Sequence, residues 1–364
     1  MKIAYLIHWN EGPESGVFKK VIQQMTQWHQ LGNEVALFLF THKGDIEWAG
    51  ELPDIRCFVQ PYTGWGDRFP QFKKLAKQLD DWQPTVIYHR FDLFYFSLPK
   101  LLRKYASILE INTNDLTEMR MDRDLRYYYH RLTRGLVLRA TDGFVFVSGE
   151  LAEEGHTKRY VRDHVVIGNG IRLDDFQPSL PPANTAPRFV FIGSAGQSWH
   201  GIDHISILAK ARPQWHFDII GAERTELEEA VPANMHFHGK MSRPQYQHLM
   251  DQADIAIGTL ALYRKQMSEA SPLKVREYLA NGLPVIIAYE ETDFNEDVPH
   301  ILVLRNGPDN IHNGLTAIDA FVETWQGKRV DRESVSRLDT LVKEAQRLSY
   351  MKQITDKKGT LRER

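Results

Sequence analysis

QPSLPPANTAP, residues 177–187, carries four prolines and no repeating apolar spacing. A stretch so punctuated reads as a linker. What flanks it decides the fold. Directly after it comes RFVFIG (188–193), followed by HFDIIG (216–221), IAIGTL (255–260) and PVIIA (284–288). Before it lie IAYLIHW (3–9), EVALFLF (34–40), TVIYHR (85–90), SILEI (107–111) and GFVFVS (143–148). Apolar residues at consecutive positions predict strands buried on both faces, as in parallel sheets. Helical patterns between them predict βαβ units. The expected fold class is therefore α/β, with two doubly wound Rossmann-like domains facing a cleft. Residues 1–176 would form the first, 177–187 the linker and 188–340 the second. A charged helical tail, 341–364, would be free to pack back on the first domain. Ligands of such sheets sit beyond the carboxyl ends of the strands.

Composition narrows the function classes. The chain has 364 residues, 25% of them charged, and a formal net charge of −2, so nothing draws it as a whole to nucleic acid. Its single cysteine, Cys57, excludes an internal disulfide and a thiolate zinc site, and reads as a core residue in a cytoplasmic protein. The opening MKIAYLIHWNEG turns polar too early for a secretory signal, and no run of eighteen apolar residues predicts a membrane span.

Residues 268–286, SEASPLKVREYLANGLPVI, carry the chemistry. Ser271–Pro272 predicts a helix start, with serine as cap, and Asn281–Gly282 predicts its end. Glu269 then lies in the loop before the helix and Glu277 about two turns in. Free N–H groups at the helix start, with Lys274, suit a phosphate. Glu277 could accept two ribose hydroxyls, and Glu269 a sugar hydroxyl. Such a set measures out a nucleoside-diphosphate sugar; an ordinary capped helix with surface glutamates has the same spacing.

This stretch resembles the signature of the retaining family 4 glycosyltransferases, which have the GT-B fold. Glu269 and Glu277 match that family's E-x7-E pair. VVIGNGIRLDDFQP (165–178), HFHGKMSRPQYQHLMDQADIAI (236–257), SGVFKKVIQQMTQWHQLGNEVALF (15–38) and DGFVFVSGEL (142–151) resemble further family segments, so the likeness spans nearly the whole chain. The resemblance implies that Glu277 binds ribose and Glu269 the donor sugar. It places the N–H groups of Leu273 and Lys274, and the Lys274 ammonium, on the diphosphate. Gly16 would let the first domain's backbone approach the same phosphates. It also implies transfer on one face of the sugar, the leaving diphosphate helping to deprotonate the acceptor, with no cofactor and no metal.

Two segments depart from the family pattern. In GSAGQSWHGID (193–203), Ser194 stands in place of an arginine and His200 in place of a lysine. The WHG variant resembles a branch associated with cell-surface polysaccharide assembly. His200 is expected to become an imidazolium beside the phosphates. In LEINTNDLTE (109–118), Asn112 stands near a family histidine that touches the donor sugar, with Glu110 and Asp115 as alternatives. Ser271 completes the expected substrate-binding set of Gly16, Asn112, Ser271, Leu273 and Glu277; Glu269, His200 and Lys274 form the expected catalytic set.

MRMDRDLRYYYHRLTRGLVLR (119–139) predicts one amphipathic helix. Met121, Leu125, Tyr128, Leu132 and Leu136 share a face at about 100° per residue. Arg120, Arg123, Arg126, His130, Arg131 and Arg134 take the other. The basic face would meet anionic lipid or a phosphorylated acceptor, or simply solvent. The expected protein is a cytoplasmic, membrane-peripheral glycosyltransferase with a nucleotide-sugar donor and a carbohydrate or lipid-linked acceptor, and no nucleic-acid partner. Its rivals are a silent sugar-nucleotide-binding subunit and a GT-B epimerase.

Overall fold

A computed structural model describes residues 1–11, 15–42, 54–90, 93–121, 124–294 and 296–362. The chain divides into two compact units, Met1–Gly168 with Thr340–Arg364, and Asn169–Asp339.

The first unit is a seven-stranded parallel sheet of β1 (Lys2–His8), β2 (Glu34–Thr41), β3 (Arg56–Pro61), β4 (Val86–Arg90), β5 (Ala106–Ile111), β6 (Gly143–Phe146) and β7 (His164–Val166). Its order is β3-β2-β1-β4-β5-β6-β7. Alternate residues of β1 enter opposite cores. Ile3, Tyr5 and Ile7 pack with Trp28 and Tyr350, and Ala4 and Leu6 with Phe38, Phe72 and Val137. Tyr350 belongs to the last helix, Thr340–Arg362, where Glu344 pairs with Arg347 at 2.5 Å and accepts the Trp28 indole N–H at 2.8 Å.

The second unit carries β8 (Arg188–Ile192), β9 (His216–Ile220), β10 (Met235–Gly239), β11 (Ile255–Ile257), β13 (Val285–Ile287) and β15 (Ile301–Val303), all parallel, in the order β10-β9-β8-β11-β13-β15. Two short strands, β12 (Glu269–Ala270) and β14 (Glu290–Glu291), pair separately. Strand order reverses between β8 and β11, the switch point of this sheet.

All nine strands expected from the sequence are present. Four further strands, β3, β7, β10 and β15, are the edges of the two sheets. Each has polar or half-exposed positions along its length, which hides it from a search for continuous apolar runs. The proline-rich stretch is not free between the units but is fastened to the second one. Asn184 donates to Gln252 O and Asp254, and Arg329 to Ser179 Oγ. Cys57 is half-buried on an edge strand, where burial pushes its thiol up to about 11. Among the described residues no helix is long and apolar enough to cross a membrane.

Candidate functional site

The helix α10, Leu273–Ala280, begins beyond the carboxyl end of β11 and ends as its sequence predicts. Asn281 is the C-terminal cap, and Gly282 follows with φ +78°. Its start differs from expectation. Pro272 is the N-cap, and Ser271 caps nothing. The Ser271 hydroxyl is buried and accepts the backbone N–H of Asn169 at 2.6 Å, while the Asn169 side chain donates to the Ser271 carbonyl. The Arg276 Nε donates to Asn169 O at 2.9 Å, and its guanidinium pairs with Glu291 at 2.6 Å and Asp293 at 2.5 Å. The NGI motif and Arg276 thus hold the helix start in place from behind.

The first intrahelical bond runs from Val275 N to Pro272 O. The N–H groups of Leu273 and Lys274 precede it and have no acceptor within the helix. Lys274 itself is half-buried, but its Nζ is closed off from solvent, without a hydrogen-bond partner, 4.3 Å from the centre of the Phe191 ring. Burial pushes this ammonium down to about 7. A cation placed so has only the face of an aromatic ring to offset its desolvation, and an anion beside it would relieve that cost.

His200 packs edge-on against the other side of this cluster, its ring 5.3 Å from Phe191. It is buried, with Nδ1 unbonded. Burial first, and the Lys274 charge second, push the imidazole down to about 2. Without a phosphate beside it, His200 is thus held toward the neutral ring; the expected imidazolium concerns the phosphate-bound protein. The WHG segment also has a structural task. Trp199 O and His200 O accept the N–H groups of Ala261 and Leu260 at 3.1 and 3.2 Å. Gly201, at φ +76°, lies so close that a Cβ would come within 3.0 Å of Leu260. The loops leaving β8 and β11 are thereby stitched together. Ser194 is exposed on the first of them.

Glu277 faces the next helix, α9 (Arg243–Gln252). Its carboxylate accepts the Tyr246 hydroxyl at 2.8 Å and lies 3.9 Å from Arg243 Nε. Arg243 in turn lies over Phe176, 3.8 Å from the ring centre. Sequence reading missed Tyr246 and Arg243. Their only signal is a one-turn separation on a helix, which marks no chemistry by itself. Glu269 sits in β12 rather than in a loop, in register with Glu290, and is half-buried. A cavity of about 580 Å³ lies elsewhere in this unit, between Gly196–Ser198 and Glu226–Glu229. Its Arg264 is paired with Asp203, and its Lys210 with Glu229.

The other two expected site residues belong to the first unit. Gly16 is the exposed first residue of the helix Gly16–Gln30, capped by Ser15 Oγ. Asn112 lines a cavity of about 290 Å³ with Arg90, Glu110, Asp115 and His130. Its side-chain oxygen accepts Lys20 Nζ at 3.0 Å. Glu110 is wholly buried and takes Lys20 at 2.5 Å and the Tyr88 hydroxyl. Among the described residues no group of His, Cys, Asp or Glu side chains could hold a metal ion.

Residues 15–175 match the family model described as Glycosyltransferase Family 4, and residues 186–318 the one described as Glycosyl transferases group 1. The chain is a glycosyltransferase of the family 4 type. No curated protein matches it in sequence. Solved glycosyltransferase structures share its fold along nearly the full length. The lipopolysaccharide outer core galactosyltransferase WaaB superposes with TM-score 0.67 at 11% identity, covering 94% of this chain and 97% of WaaB. Sucrose-phosphate synthase from Thermosynechococcus elongatus gives 0.63 at 16% identity, covering 100% and 98%. Anabaena HepE, solved with UDP and glucose, gives 0.64 at 14% identity, covering 95% and 98%. This glycosyltransferase therefore has the GT-B fold of two Rossmann-like units.

Proposed function

We propose that the enzyme moves a sugar, with retention, from a nucleoside-diphosphate sugar to a carbohydrate or lipid-linked acceptor, in surface polysaccharide or glycoconjugate synthesis. The observation that carries this reading is the start of α10. Two N–H groups without helical acceptors and a desolvated, unpartnered ammonium converge where a diphosphate would place its charge. Glu277, about a turn further on, accepts ribose hydroxyls, and the Tyr246 hydroxyl fixes its orientation. Glu269 meets the donor sugar. As the bond from the anomeric carbon to the diphosphate breaks, Lys274 and the helix start stabilise the charge on the leaving group. The leaving oxygen takes the acceptor's hydroxyl proton, and the new bond forms on the same face of the sugar. His200 acts as a neutral partner, since its burial beside Lys274 opposes a second positive charge.

HepE has been solved with UDP-glucose, which makes uridine nucleotides the first donors to try. Thermal shift with a panel of nucleoside diphosphates and their sugars, followed by NMR of the product's anomeric proton, tests the reading. Stabilisation by one nucleotide and a product keeping the donor's anomeric configuration are expected. An inverted product refutes retention. Binding without turnover favours a silent subunit, and interconversion of the free sugar nucleotide favours an epimerase.

A further inference from the structure

The helix α5, Arg126–Ala140, faces the opposite way from its sequence reading. The expected single helix over 119–139 is broken into α4 (Asp115–Met121) and α5; Arg123 lies outside the described residues. Two members of the basic side, His130 and Arg134, turn inward, while Arg126 and Arg131 stay exposed. Arg134 is buried and donates to both Asp115 oxygens at 2.9 Å, to Thr157 Oγ1 at 2.8 Å and to His156 O at 3.1 Å. His130 joins the same carboxylate at 2.5 Å. Burial alone would raise the Asp115 carboxyl, but these two partners hold it below its usual range.

The apolar row is consequently on the outside. Leu125 is 84% exposed, Tyr128 68%, Leu132 83% and Leu136 42%. Spaced three to four residues apart, they make one stripe along the helix. Aromatic rings continue it. Trp65, 48% exposed, packs 5.7 Å from Tyr129, and Phe96, 81% exposed, adjoins Phe69, which also touches Tyr129. Scattered exposed apolar residues are ordinary, but a contiguous row of this kind marks an interaction surface.

Charge identifies the partner. Residues 125–140 contain no aspartate or glutamate, although the chain as a whole is slightly acidic. Arg131 flanks the row and Arg139 closes it one turn beyond Leu136; both are exposed, and each lies against a tyrosine, Tyr127 and Tyr160. Leucines outward, aromatics at the margin and arginines beside them are the components of a helix lying in a bilayer interface. There the stems of the arginines run along apolar surface while their heads reach phosphate. A second copy of this chain would bring the same arginines together, which disfavours self-association.

We propose that this face docks on an anionic lipid surface, with Leu125, Tyr128 and Leu132 in the headgroup–acyl boundary and Arg131 and Arg139 on lipid phosphates. The proposal rests on the first unit alone and stands apart from the donor reading. Flotation of the full chain with phosphatidylcholine vesicles, with and without phosphatidylglycerol, tests it. Binding to the anionic vesicles only is expected. Leu125→Ser with Leu132→Ser, both too exposed to matter to the fold, should lower that binding at least about tenfold, given the size of apolar burial per side chain. Arg131→Gln with Arg139→Gln should lower it about fivefold per arginine and remove its salt dependence. Nucleotide-induced thermal shift should be unchanged in both variants. Equal binding to the two kinds of vesicle, no binding to either, or leucine variants that float like the wild type would overturn the proposal. So would a wild-type dimer in sedimentation that the leucine substitutions dissociate, since a second copy would then cover the row.

Discussion

Lys274 and Arg134 are both basic side chains drawn into the protein on helices, yet they are handled in opposite ways. Arg134 donates hydrogen bonds to three residues, two of them to the Asp115 carboxylate. Lys274 Nζ has none and rests on an aromatic face. A buried charge with its donors satisfied holds structure together. One left unsatisfied costs free energy until something arrives to pair with it.

Stability should show the contrast most strongly. Arg134→Ala strands Asp115 and His130 and should cost about 3–5 kcal/mol, the usual loss when a buried pair is broken, read as a fall in the urea midpoint of the first unit. Lys274→Met removes an uncompensated charge and should not lower stability. If the two substitutions cost the same, the distinction fails.

Binding should invert that order. Lys274→Met should weaken a nucleoside diphosphate by on the order of 3 kcal/mol, the upper range for a charged hydrogen-bond partner, whereas a folded variant at Arg134, such as Arg134→Lys, should bind normally. Glu277→Gln should lose about 1.5 kcal/mol of nucleotide affinity with little change in melting temperature. Calorimetry reads both; unchanged affinity at Glu277 would remove it from the ribose.

Acidity sharpens the comparison further. In the empty protein Lys274 titrates near 7, and a bound diphosphate raises that value. Below about 7 both free and bound forms are protonated, so affinity for a sugar nucleotide should be flat. Above it binding takes up a proton, and affinity should fall by up to about tenfold per pH unit until the raised value is passed. Stability has the opposite sign. The folded value lies below the unfolded one, so the empty protein should gain stability as pH rises above about 7, and Lys274→Met should abolish that slope. The smallest effect is expected at His200. Its ring is already neutral, so His200→Gln should leave the shape of the pH profile unchanged; a profile that flattens would restore the imidazolium.

Legibility in the sequence follows from locality. The inner strands are apolar at every position because both faces are covered, and that needs no partner to be recognised. The C-terminal end of α10 is set by Asn281 and Gly282, whose backbone preferences are their own. Edge strands, the Ser271–Asn169 bond and the Tyr246 contact to Glu277 depend on residues far away in the chain, and no spacing announces them.

The sequence by itself determined two parallel α/β units, the nature of their inner strands and the helix that presents Lys274 and Glu277. Only the tertiary structure decided which side of α5 faces inward and whether His200 carries charge. Periodicity defines two faces of a helix but assigns neither to the interior. Asp115, on the preceding helix, offers Arg134 and His130 a carboxylate, and Val137, Leu138 and Ala140 on the inward side are buried with them. A histidine's charge is likewise set by what surrounds it: burial and the nearby ammonium of Lys274, 74 positions along the chain, keep the His200 ring neutral.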